Sequence, residues 1–181
     1  MPAPTIIGTR ITLRQIRKRD AESIQKHAHD KLVSRYMTCL PFPYKIEHAL
    51  LWIKNCHRVN RTKTDIMWGI QDNTTGEIIG GIGLHHINNQ HKNAETGYWI
   101  GRKYWRLGLM TEAVKLVLKY AFKELKLIRV YAVCMHPNTA SMGVLIKVGF
   151  TKDSIQRKAC YKNRHWYDIH GFGILKEELK N

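Results

Sequence analysis

Apolar and polar residues change period several times along this chain, and each change marks an element. Ile11-Thr12-Leu13-Arg14-Gln15-Ile16 alternates, as a strand with one buried face does. Residues 20–29 read as a helix. From 46 to 57, Ala49, Leu50, Ile53 and Cys56 recur at three- and four-residue steps, which predicts a second, amphipathic helix. Three strands follow: 66–70 and 78–84 flank the turn Asn73-Thr74-Thr75-Gly76, and 94–100 comes next. Residues 111–124 set Ala113, Val117 and Ala121 beside Val114, Leu118 and Phe122, a wide apolar stripe on one helical face. Residues 128–133 predict a buried strand. Pro137-Asn138-Thr139 opens a helix through Val148, which Gly149 ends as a left-handed cap. A hairpin from about Asp153 to Ile174, turning near Lys162-Asn163, completes the pattern. Sequential strands favour antiparallel pairing, and the strand–helix–strand unit after Ala94 favours one parallel crossover. The expected fold class is α/β with a mixed, mostly antiparallel sheet flanked by helices.

A chain of 181 residues suits a single domain, here 1–181 with its core over about 8–176. Hydrophobic residues at 44% and charged residues at 24% exclude a wholly disordered chain. The longest apolar runs, such as 49–53, fall far short of the ~20 residues a membrane span requires. Met1-Pro2-Ala3-Pro4-Thr5 lacks the charged-then-apolar pattern of a signal segment, so a cytoplasmic protein with no membrane partner is expected. Charge is the outlying quantity: 30 Lys and Arg against 14 Asp and Glu leave +16. Such a field attracts polyanions, and it reads either as solvated lysine-rich surface or as fitness for an acidic partner such as a ribosome. Cys39, Cys56, Cys134 and Cys160 form no C-x-x-C pair, which favours reduced thiols over a disulfide framework. His85, His86 and His91 lack the spacing a helix would give a ligand set, so no metal is expected.

Chemistry concentrates after the third strand. Ala94-Glu95-Thr96-Gly97-Tyr98-Trp99-Ile100 runs through Tyr104-Trp105-Arg106-Leu107-Gly108-Leu109-Met110-Thr111 into a helix. A helix start offers unpaired N–H groups and the positive end of its dipole, and Gly108 lets an anion approach the backbone. No Gly-Lys-Ser/Thr follows, so this is not a nucleotide-triphosphate loop. Gly80-Gly81-Ile82-Gly83 lies inside a strand pattern, which excludes a dinucleotide reading.

This stretch, with Ile79-Gly80-Gly81-Ile82-Gly83-Leu84, His136-Pro137-Asn138-Thr139-Ala140-Ser141 and Lys147-Val148-Gly149-Phe150, resembles the Gcn5-related N-acetyltransferase superfamily, nearest its RimJ/RimL-like branch. The resemblance covers nearly the whole chain. It implies a sheet whose central parallel strands splay apart to admit acetyl-CoA, and transfer of acetyl to a primary amine by direct attack in a ternary complex. The family's pyrophosphate loop falls on Trp105, Arg106, Leu107, Gly108, Leu109 and Met110, with Thr111 in the helix beyond. Trp105 replaces a polar residue and Met110 a small one, and only Gly108 matches strictly. Arg106 would add a charged contact to the phosphates, and Met110 would narrow the room beside them. The strand ending at Trp99 and Ile100 would pair with the pantetheine arm, with an amide near Trp99 polarising the thioester and Asn138 bonding the arm. Asn138 also has a second reading, as a helix cap after Pro137.

Glu95 is the candidate base, unless it is tied to Lys92 or Arg102; His85 and His86 are the alternatives. The tyrosine that many family members use as acid is replaced by Leu145, which leaves Ser141 as the nearest hydroxyl, unless it bonds back to the preceding turn. Trp52, Trp68, Trp99, Trp105 and Trp166 read as core and rim residues. Arg14-Gln15-Ile16-Arg17-Lys18-Arg19 reads as a solvated strand–helix junction before it reads as a contact for RNA. A protein N-terminus is the expected acceptor, first of all that of a ribosomal protein, because the charge suits an RNA-rich partner. A polyamine, amino sugar or antibiotic is the small-molecule alternative, and a non-catalytic CoA- or RNA-binding module the other. Loops 37–44 and 154–164 would set the acceptor, and an exposed edge strand could make a homodimer of the monomer.

Overall fold

The structure, a computed structural model, describes residues 3–62 and 64–180; Met1 and Pro2 of the opening segment lie outside them. The chain runs β1 (Ile6–Ile7), β2 (Ile11–Arg14), α1 (Ala21–Ala28), α2 (Lys31–Ser34) and α3 (Ile46–Val59). It continues β3 (Ile66–Asp72), β4 (Ile78–Asn88), β5 (Asn93–Ile100), α4 (Leu109–Lys123), β6 (Arg129–Met135), α5 (Thr139–Val148), β7 (Thr151–Lys162) and β8 (His165–Leu175). Among these residues the strands form one sheet in the order β1-β2-β3-β4-β5-β6-β8-β7, antiparallel everywhere except between β5 and β6. The expected fold class is therefore the observed one, with two short elements, β1 and α2, added.

Local chemistry accounts for most boundaries. Ile11 and Leu13 of β2 point inward and are fully buried, while Thr12 and Arg14 stay half-buried. Residues 78–84 are buried throughout, because helices cover both faces of β4; its continuous apolar run follows. On one face α4 packs Ala113, Val114, Val117, Leu118, Ala121 and Phe122 into a core shared with Ile82, Leu84 and Val130. On the other, Ile24, Ala49, Ile53 and Cys56 of α1 and α3 meet Ile78 and Trp99. Gly149 ends α5 at φ 112°, the left-handed cap that its position predicts. The β7–β8 hairpin turns through Asn163 and Arg164 at φ 50° and 62°, as a two-residue turn matched to strand twist requires. No described helix is long and apolar enough to cross a membrane.

Arg14 departs from its expected place on a solvated junction. Its guanidinium grips Asp20 through two bonds, at 2.8 and 2.9 Å, with side chains only 13% and 8% exposed. Burial raises the Asp20 carboxyl pKa, but the Arg14 bonds, the Arg17 N–H and the fields of Arg14 and Arg19 outweigh it and hold the group below its usual value. A depressed carboxyl contributes stability above its unfolded pKa, near ~3.9, and loses it as pH falls through the folded value. Asp20→Asn is therefore expected to cost about 3 kcal/mol in urea unfolding at pH 7, because it leaves Arg14 half-buried without its countercharge. The gap between variant and parent should narrow below about pH 4, where the parent loses the same contribution.

Candidate active site

β5 stays paired with β4 from Asn93 to Ile100, but meets β6 at three positions only: Asn93 with Arg129, Ala94 with Val130, Glu95 with Tyr131. Beyond Glu95, β6 stays with β8 as far as Met135, so the two parallel strands part. Residues 96–100 have no strand partner on that side. The gap lies at the carboxyl ends of adjacent parallel strands, where open α/β sheets form their ligand crevices.

After β5 the chain turns into the loop that starts α4. Gly108 caps the helix at φ 76°, a left-handed conformation in which a side chain would be strained. An added Cβ would meet only the Arg10 Nη2, at 3.5 Å, so the position is open. Leu109 and Met110 are buried in the core. Met110 therefore does not narrow the loop as its size suggests; its backbone alone serves the first turn, together with the Leu109 and Thr111 amides. Arg10 straps the loop: its Nη1 donates to the Leu107 carbonyl at 2.8 Å, while Nε and its backbone N–H bond Glu112 at 3.0 Å each. Nothing in the sequence pairs these residues, which lie about a hundred positions apart. Arg106 also has positive φ, 63°, and is exposed. The Trp105 indole donates to the Ile100 carbonyl at 2.9 Å, which occupies one acceptor at the end of β5.

Tyr98, overlooked in the sequence, reaches from β5 to α5. Its hydroxyl shares a hydrogen bond with Ser141 Oγ at 3.0 Å and lies 3.2 Å from the Ser141 carbonyl, which it can donate to. Ser141 does not bond back to its own preceding turn. Burial raises the Tyr98 pKa against the opposing effect of the Ser141 bond, so the hydroxyl keeps its proton at neutral pH. Asn138 is the cap of α5, its Oδ1 accepting the Ser141 N–H at 3.2 Å. Cys134 Sγ lies 3.6 Å from the Asn138 carbonyl, and burial pushes the thiol up as well. Leu145 is buried.

The opposite face carries the basic groups. Cross-strand register sets Glu95 beside His85, and the His85 ring also stands over the bare Cα of Gly97. His85 Nδ1 is 3.2 Å from Asp65 Oδ1, an arrangement that fixes the ring. Glu95 makes no ion pair among the described residues; Arg102 faces Asp30 instead, at 3.9 Å. His86 is exposed with φ 51°, away from this cluster, and the described residues hold no group of three ligands placed for a metal. Lys162 joins the two expected acceptor loops: its ammonium donates to the Ser34 carbonyl at 2.5 Å and to that of Met37. Burial lowers its pKa.

Comparison with known proteins agrees with this geometry. Residues 10–151 match the family model described as an acetyltransferase (GNAT) domain. The chain is 36% identical to "Uncharacterized N-acetyltransferase YoaA" of Bacillus subtilis over 173 residues, 96% of this chain and 97% of that one. It is 33% identical over 103 residues, 57% and 56% of the two chains, to "Putative ribosomal N-acetyltransferase YdaF" of the same organism. Over 141 residues, 78% and 73%, it is 26% identical to spermidine N(1)-acetyltransferase of Escherichia coli. Among solved structures, RimL, a ribosomal L7/L12 α-N-protein acetyltransferase in complex with coenzyme A, superposes with TM-score 0.86 at 16% identity, covering 95% and 98% of the chains. That likeness is one of fold.

Gly108→Ala tests the loop without a steric clash. The positive φ should cost about 1–2 kcal/mol in unfolding, and calorimetric titration should show coenzyme A binding weakened at least about fivefold, roughly 1 kcal/mol.

Proposed function

Given that the chain belongs to the GNAT acetyltransferase family, we propose that it transfers acetyl from acetyl-CoA to the α-amine of a protein N-terminus, with a ribosomal protein as the favoured acceptor. That it is an N-acetyltransferase follows from the family. The acceptor is our inference, supported by the net charge of +16 and by the ribosomal name of one relative. The observation that carries the mechanism is the three-pair ladder between β5 and β6, which ends at Glu95 and leaves a gap leading to the Gly108 turn.

The first-turn amides of α4 would hold the diphosphate, with the Arg10 strap fixing their direction. The unpaired edge of β5 would bond the pantetheine arm. An amide near Trp99 would stabilise the charge that develops on the thioester oxygen. The amine nitrogen attacks the thioester carbon from the Glu95 face; the C–S bond breaks, and the amine's surplus proton leaves to the base. Freeing an α-amine of pKa ~8 at pH 7 costs about 1.4 kcal/mol, against about 4.6 kcal/mol for a lysine of pKa ~10.4. A weak base therefore suffices for the first. Glu95 fills that role, with the Asp65-oriented His85 beside it as the alternative. Ser141, held in place by its bond to the Tyr98 hydroxyl, would protonate the departing thiolate and take its own proton back from solvent as the products leave. The reaction runs in the cytoplasm on this reading, and the enzyme works as a monomer or homodimer.

A small-amine acceptor is the second reading, favoured by the spermidine-acetylating relative. Labelled acetyl-CoA offered to N-terminal peptides, spermidine and amino sugars separates the two: acetylation of peptides at their α-amine is expected, and turnover of spermidine alone would reverse the order. Binding of acetyl-CoA with no turnover on any amine would defeat both and leave a non-catalytic module. Glu95→Gln should lower kcat about 100-fold while leaving KM for acetyl-CoA within about twofold. An unchanged kcat–pH profile would remove Glu95 and turn attention to His85→Gln. Ser141→Ala should lower kcat about tenfold, and Tyr98→Phe should do so by less, as a residue acting through Ser141 would.

A further inference from the structure

At the tip of the β7–β8 hairpin a tryptophan lies well outside the core. Trp166 is 55% exposed and Tyr161 59% exposed. The two are cross-strand partners with ring centroids 4.9 Å apart and an interplanar angle of 47°. Exposed aromatic pairs of this kind are costly to leave in water and uncommon without a partner. On the same hairpin Arg157, Lys158 and Arg164 are exposed and make no ion pair among the described residues. The nearby carboxylates are already engaged, Asp153 by Arg129 and Asp168 by the Lys158 N–H. Lys162 anchors the tip to the Ser34 and Met37 carbonyls, so the platform is held rather than floppy.

A second copy of this chain is a poor occupant for this edge. β7 shifts register twice, between Lys152 and Ser154 and between Gln156 and Cys160, and bulges of this kind blunt an edge against pairing. Antiparallel contact of two such edges would also set cations against cations. Flat rings that accept any base, flanked by unpaired cations, fit a single strand of nucleic acid instead. The chain's surplus of positive charge complements a phosphate backbone.

We propose that the tip of the β7–β8 hairpin is a docking platform for single-stranded RNA, with bases stacking on Tyr161 and Trp166 and phosphates meeting Arg157, Lys158 and Arg164. This site is separate from the acetyl-transfer gap, so it stands or falls independently of the acceptor.

The full chain is titrated against a fluorescein-labelled twelve-nucleotide oligouridylate, read by anisotropy at 50–200 mM KCl and by quenching of tryptophan emission. Binding with quenching is expected, and a duplex of equal length should bind more weakly. Tyr161→Ala with Trp166→Ala should weaken binding at least about tenfold, while coenzyme A affinity, which confirms folding, stays unchanged. If that variant does not fold, Trp166→Phe should retain binding and Arg157→Gln with Lys158→Gln and Arg164→Gln should reduce the salt slope by about two. Lys119→Ala with Lys123→Ala on α4 removes charge elsewhere and should leave the aromatic contribution intact. The proposal is overturned by no binding at 50 mM KCl, by equal or tighter duplex binding, by equal loss in the α4 variant, or by sedimentation showing a dimer that the hairpin variants dissolve.

Discussion

The proposed acetyl transfer depends on a hydrogen-bonding constraint that the sheet does not satisfy internally. β5 is saturated on its β4 side and β6 on its β8 side, yet the ladder between them stops after three pairs. A backbone edge left in a crevice must find another partner, because a buried unpaired donor or acceptor costs about 1–3 kcal/mol. An extended ligand arm with its own amides is such a partner. The Tyr98–Ser141 contact ties β5 to α5 across the divergence rather than strand to strand.

The helix start works by the same logic on the next turn of the chain. Gly108 supplies the backbone geometry, and buried Leu109 and Met110 lock the first turn of α4 into the core. Arg10 and Glu112 then fix the preceding loop from the other side. A diphosphate site built on amides, as proposed, would tolerate side-chain change at its flanks, so Trp105 and Met110 can depart from the family pattern without removing the donors.

Much of this was legible because it is local. The α4 stripe, the Gly149 cap, the turn at Asn73–Gly76 and the apolar run of β4 each depend on neighbours a few residues away, and the sequence pattern places them correctly. Contacts between distant segments were not legible. Tyr98 and Ser141 are 43 positions apart, and Lys162 and Ser34 are 128 apart, so no periodicity links them. Arg14 looked solvated because its six-residue step to Asp20 bridges a strand and a helix whose angle the pattern does not reveal. Trp166 could be read only as core or rim, because a bulky aromatic carries no mark of which sheet face it occupies at a free edge.

Charge matching bears on the acceptor reading. At the basic face of the gap, Asp65 is engaged with His85, while Glu95 makes no ion pair among the described residues. One open carboxylate matches the single positive charge of a peptide α-amine before it loses its proton. A polyamine brings further cations, each of which would need its own countercharge, whereas Asp65 is already engaged by His85. That charge count is the argument for the peptide acceptor proposed above, and it rests on the groups around Glu95 rather than on the family's general chemistry.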